Sequence, residues 1–156
     1  MLGIIGASDK TPLTIGTGNR EMHPVLLSLA NITSGVQMKA TSHAFALAGY
    51  LPIPKFLDVS APLQATLAAC VYHICLDIIC INLKAAEWEG RMLPDLSGNQ
   101  RYCHTPLASW IADLPEQRLL ASVLANQSPF TLTSSESFGD LHNLPCCDRD
   151  HTIGLI

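Results

Sequence analysis

Residues Gly6 to Ile32 read GASDKTPLTIGTGNREMHPVLLSLANI, and the way this stretch doubles back decides the fold. The apolar run Leu2 to Ala7 leads into it and delivers Asp9 into a polar turn. The strand can re-form through Leu13 to Ile15 before Gly16-Thr17-Gly18-Asn19, residues that tolerate positive φ, reverses the chain. A second apolar run, Val25 to Ile32, opens just after Pro24, where a missing backbone donor does least harm. The expectation is a hairpin with a carboxylate at the exit of its first strand.

Beyond it, Thr33-Ser34-Gly35 makes a turn and His43 to Leu51 reads as a third strand, although its alanines also permit a helical turn. Pro52-Ile53-Pro54 ends that segment, since proline continues neither ladder. From Pro62 to about Glu89 the apolar positions Leu63, Leu67, Cys70, Val71, Ile74, Ile78, Ile81, Ala85 and Trp88 recur at steps that keep one stripe of an α-helix. Leu67, Val71, Ile74, Ile78 and Ile81 are expected to bury against the sheet. Pro62 suits the first turn and Gly90 the stop. Ala61 to Leu83 is nearly free of charge, which raises a membrane-spanning reading. Asp77 lies inside the run, however, and an aspartate at mid-bilayer costs roughly 2.5–3.5 kcal/mol. A helix on a sheet is expected instead.

Arg91 to Arg101 reads as a loop or short hairpin, Leu107 to Ala112 as a buried strand running into Asp113, and Pro115 to Ala125 as a short helix. Gln127 to Ser137 then carries six serines or threonines, which is loop composition. The fold class is α/β (α+β): a mixed sheet of about four strands with a long helix packed on it. Residues 1–126 are expected to form the core, and residues 127–156 a polar loop and a tail that reads as cut short.

The chain has 156 residues, 48% of them hydrophobic and 14% charged, enough for one domain with a real core. Nine Lys and Arg stand against thirteen acids, a net charge of −4 with no basic stripe, which weighs against tight DNA binding by this chain alone. The start has no basic segment ahead of its apolar run, so no signal peptide is expected. Of the six cysteines, three sit in the long helix and two are adjacent, unlike a secreted disulfide frame. A reducing, intracellular setting follows.

Four word-like segments carry a resemblance: Ser8-Asp9-Lys10-Thr11-Pro12-Leu13 through Asn19, His23-Pro24-Val25 through Ile32, Ala48-Gly49-Tyr50-Leu51 through Phe56, and Trp110-Ile111-Ala112-Asp113-Leu114-Pro115-Glu116-Gln117. In this order they resemble the Plavaka transposases, mobile elements of fungal genomes, over about Ile5 to Ile156. The resemblance implies an RNase H-like catalytic core, with three antiparallel strands, a helix, and a strand returning beside the first. It implies Asp9 and Asp113 as the first and second catalytic acids, Mg²⁺ or Mn²⁺ as the metal, DNA as the ancestral partner and the nucleus as the setting. No membrane partner is implied, and the oligomeric state is left open.

The residues alone leave other readings. Asp9 is also a good turn aspartate. Asp113 and Glu116 have the spacing of a helix N-cap and its third residue, ahead of Pro115. The family's third acid lies downstream of any segment that aligns here, although Glu136, Asp140, Asp148 and Asp150 are available. A cysteine-containing patch of the family is replaced by Asn126-Gln127-Ser128-Pro129. Catalysis by this chain is therefore expected to be absent. His142, Cys146, Cys147 and His151 form a separate Zn²⁺ candidate, weakened because adjacent cysteines rarely chelate one ion well. A third reading is an interaction module with no chemistry. His73 and Asp77, four apart on the helix, are within reach of each other, and Cys70, Cys75 and Cys80 rotate around it as packing residues.

Overall fold

A computed structural model describes residues 1–14, 16, 18, 20–124, 126–133, 135–140, 145 and 146. The chain divides into two compact units, Met1–Ala112 and Asp113–Ile156.

The first unit is built on the expected hairpin. Strand β1 (Ile4–Ser8) runs out through Asp9 into β2 (Thr11–Pro12), which pairs with β3 (Glu21–Met22) as a two-stranded ribbon. Lys10 and Glu21 form an ion pair across it at 2.8 Å. At the ribbon's tip, the Leu13 N–H donates to the Arg20 carbonyl at 2.7 Å, and Gly16 and Gly18 both take φ of +84°. Strand β4 (Pro24–Leu29) returns antiparallel to β1, with Ser8 opposite Val25 and Ile4 opposite Leu29. A short helix, α1 (Ser34–Gln37), bridges to β5 (Ala46–Tyr50), antiparallel to β4.

The long helix α2 (Ala61–Trp88) follows. Ser60 is its N-cap, Pro62 lies in the first turn, and Gly90 closes it at φ +73° with its N–H on the Ala86 carbonyl, as its sequence position implied. A hairpin of β6 (Arg91–Pro94) and β7 (Gln100–Cys103) then returns the chain to β8 (Leu107–Ile111). Strand β8 lies parallel to β1, so the sheet order is β5-β4-β1-β8. Three antiparallel strands, a helix and a strand beside the first are thus in place, a mixed four-stranded sheet of the α+β class.

Helix α2 covers one face of that sheet. Ser8, Val25 and Gly49 are register partners on that face; Val25 is fully buried, and a Cβ at Gly49 would lie 3.5 Å from Ile79. The His23 ring stands 5.7 Å from that of Tyr72, and the Thr105 hydroxyl donates to the Leu83 carbonyl at 3.2 Å. The buried side of α2 is therefore Tyr72, Leu76 and Ala86. This corrects the stripe read from the sequence: Ile74, Ile78 and Ile81 are exposed. The helix is apolar on all sides, so two opposite stripes have helical period. The bulk and ring partner of Tyr72 decide which one meets the sheet. Asp77 likewise pairs with Lys84. The sheet's other face carries Leu47, Leu26, Ala7 and Ile111 in one cross-strand row, with Leu47 and Ile111 exposed.

Asp95 organises the β6–β7 turn. Its carboxylate accepts the Ser97 and Asn99 N–H groups, each at 2.9 Å, and the Arg101 guanidinium at 2.9 Å. The Arg101 hydrogen bond, followed by the Asn99 N–H, holds the Asp95 carboxyl below the usual carboxylate range. A depressed folded-state value stabilises the hairpin above the unfolded value of about 3.9 and is lost as pH falls through the folded one. Order at Ser97 and Asn99 amides, followed by NMR, is expected to persist at pH 5 and decline only in stronger acid; Asp95→Asn is expected to remove that acid transition.

In the second unit, α3 (Leu114–Leu120) has Asp113 as N-cap and Arg118 in its last turn, where a cation suits the helix dipole. The Arg118 Nε donates to the Gln127 carbonyl at 3.1 Å. Thr131 and Cys146 form an isolated antiparallel bridge, and a 3-10 turn spans Ser135–Ser137.

Candidate functional site

Strands β1 and β8 leave the sheet side by side and in the same direction, with Ala7 opposite Ile111 as their last register pair. Asp9 follows Ala7 by two residues and Asp113 follows Ile111 by two. Carboxyl ends of neighbouring parallel strands are where open sheets present ligand-binding groups.

The pairing that aligns these ends is held by Gly6, Ser8 and Trp110. Gly6 and Trp110 are register partners, and the indole lies across the glycine so closely that a Cβ there would stand 2.2 Å from Cε3. The indole N–H donates to the Ser8 hydroxyl at 2.9 Å, one residue before Asp9. Sequence reading passed over this trio. Its one signal was a glycine inside an apolar strand, which marks a close approach by another group.

Asp9 is exposed, and the Thr11 hydroxyl lies 3.5 Å from its Oδ2. Asp113 is exposed as well, and its Oδ1 accepts the Glu116 N–H at 2.9 Å. The capping geometry implied by the Asp113–Glu116 spacing is therefore present. Asp113→Ala is expected to cost about 1 kcal/mol in thermal unfolding, whereas Asp113→Asn, an equally good cap, is expected to cost little.

Both aspartates offer the hard oxygen donors that suit Mg²⁺ or Mn²⁺, and Asp113 keeps one oxygen outside the cap. Two carboxylates are nevertheless a short donor set for two ions. Among the described residues no group of three or more His, Cys, Asp or Glu is placed to hold a metal. Glu136 and Asp140 are exposed in the second unit. Of the zinc candidates, Cys146 is exposed with a free thiol, while His142, Cys147 and His151 lie outside the described residues, as do Asp148 and Asp150. A cavity of about 420 Å³ lies toward the opposite end of β1, lined by Ile4, Leu27, Leu29, Val36 and His43, and holds no acid.

A family model described as Plavaka transposase matches residues 1–156, the whole chain. No curated protein and no solved structure matches it.

Proposed function

Since the chain belongs to the Plavaka transposase family, we propose that it is a transposase-derived core in which Asp9 and Asp113 occupy the positions of the first and second catalytic acids. The observation that carries this reading is the parallel pairing of β1 with β8, whose last register pair, Ala7 and Ile111, stands two residues before each aspartate. The order β5-β4-β1-β8, with α2 between β5 and the return strand, fits an RNase H-like core. The ancestral activity is metal-dependent DNA cleavage and strand transfer in the nucleus. Mg²⁺ or Mn²⁺ supplies charge stabilisation of the phosphodiester and activation of the attacking oxygen. In this chain, Asp9 and Asp113 would each offer carboxylate oxygens as ligands, while Trp110 and Ser8 tie together the strands that precede them.

The 156-residue chain is proposed not to complete that reaction. Two acids do not fix two ions, and nine basic residues among thirteen acids give little hold on a phosphate backbone. A non-catalytic interaction module is the second reading, favoured by the exposed apolar face of α2.

Metal titration followed by amide NMR tests the site. Mn²⁺ is expected to broaden the amide signals around Asp9, and Asp9→Asn is expected to abolish that broadening. No Mn²⁺ effect at Asp9 would remove the acid assignment. Zn²⁺ binding lost in Cys146→Ser would support a zinc-binding tail instead.

A further inference from the structure

The face of α2 turned away from the sheet carries a second complete hydrophobic repeat. Leu67, Val71, Ile74, Ile78 and Ile81 follow one another at steps of four, three, four and three, and the pattern runs on through Ala85 to Trp88. Ile74, Ile78 and Ile81 are 60%, 64% and 58% exposed, and Trp88 is 88% exposed. A surface helix of a soluble fold is normally polar on this side. Steps averaging 3.5 residues are instead the spacing of a coiled-coil seam, with Leu67, Ile74, Ile81 and Trp88 in one core position and Val71, Ile78 and Ala85 in the other. Over its 28 residues α2 is about 42 Å long, and the stripe from Leu67 to Trp88 spans three heptads of it. We infer that this stripe is a self-association seam, through which two copies of the chain pair by antiparallel packing of α2.

The charges beside the stripe favour a second copy, and favour that direction. Asp77 and Lys84 stand seven residues apart on one edge of the seam, each with a side chain 62% exposed. Within one chain they pair with each other. When two such helices run antiparallel about a centre near Ile78 and Ile81, this edge meets the same edge reversed. Each Asp77 then faces the Lys84 of the other copy, so the ion pair forms twice across the seam. Parallel pairing would set Asp77 against an asparagine, Asn82, and add no ion pair across the seam. A bilayer is the other environment that suits a helix of this length, with an 18-residue window of mean hydropathy 1.8. It fits poorly here. The opposite face of α2 is fastened to protein by the Thr105 hydroxyl on Leu83 and by His104 at the Glu87 carbonyl, and Asp77 and Lys84 would lie within the apolar layer.

Sedimentation equilibrium of the 156-residue chain is expected to give a dimer. Asp77→Lys and Lys84→Asp each place like charges opposite one another, and each is expected to weaken association about tenfold. An equimolar mixture of the two variants restores both opposite-charge pairs and is expected to dimerise as tightly as the parent. Ile78→Glu, at an exposed site, is expected to be monomeric with an unchanged far-UV circular dichroism spectrum; should it unfold, the charge-swap mixture decides. A parent that stays monomeric at its highest soluble concentration would overturn the inference. So would a mixture no tighter than either variant alone, an Ile78→Glu protein that remains dimeric, or flotation of the parent with phosphatidylcholine vesicles.

Discussion

Gly6→Ala is expected to lower the unfolding midpoint by several degrees. The added methyl would lie 2.2 Å from Trp110 Cε3 and 2.5 Å from Cζ3, so the indole must move. Overpacking of this kind costs typically about 1–3 kcal/mol. Moving the ring also breaks its hydrogen bond to Ser8, at about 1 kcal/mol more. In a chain of this size each kcal/mol lowers the midpoint by roughly 2–4 °C. The cost is specific to the pairing of β1 with β8, so a smaller residue at 110 offsets it. Gly6→Ala combined with Trp110→Leu is expected to be less destabilised than the sum of the two single changes. Strict additivity in thermal melts would show that Gly6 and Trp110 do not press on one another.

Leu76→Ala is expected to cost about 2–5 kcal/mol, and Ile74→Ala less than about 0.5 kcal/mol, two residues apart on the same helix. Leu76 is buried on the sheet side of α2, and Ile74 is 60% exposed on the other. Urea unfolding at concentrations below any self-association separates the two sides cleanly. Equal costs, or a larger one at Ile74, would mean that α2 sits on the sheet by its other stripe.

That pair of variants also marks where the sequence stopped being informative. The hairpin, the ends of α2 at Pro62 and Gly90, and the return of β8 were legible because glycine, proline and strict periodicity act locally. The burial side of α2 was not. Tyr72, Leu76 and Ala86 repeat with the same helical period as Ile74, Ile78 and Ile81, and no polar face separates them. Only contact with His23 and Gly49 distinguishes the two stripes. The re-formed strand lies at Thr11–Pro12, two residues earlier than the expected Leu13 to Ile15, because two-residue strands carry no alternation to read.

The site was half legible for a similar reason. Asp9 announced itself by leaving an apolar strand for a polar turn, and the Asp113–Glu116 spacing announced a helix cap. Neither pattern tells a capping or turn aspartate from a metal ligand, because both uses need an exposed carboxylate at a strand end. The Trp110 indole over Gly6 joins residues 104 positions apart, beyond the reach of any local pattern.

Strand cleavage is the most direct measurement. The purified 156-residue chain would be incubated with supercoiled and linear duplex DNA in Mg²⁺ and in Mn²⁺, beside Asp9→Asn and Asp113→Asn, which keep the turn and the cap. The expected result is no nicked or joined product above the level in either variant. Product formed by the parent and absent from both variants would contradict the reading of a core that has lost its reaction, and would require a further carboxylate of this chain, Glu136 or Asp140 first, as the missing ligand.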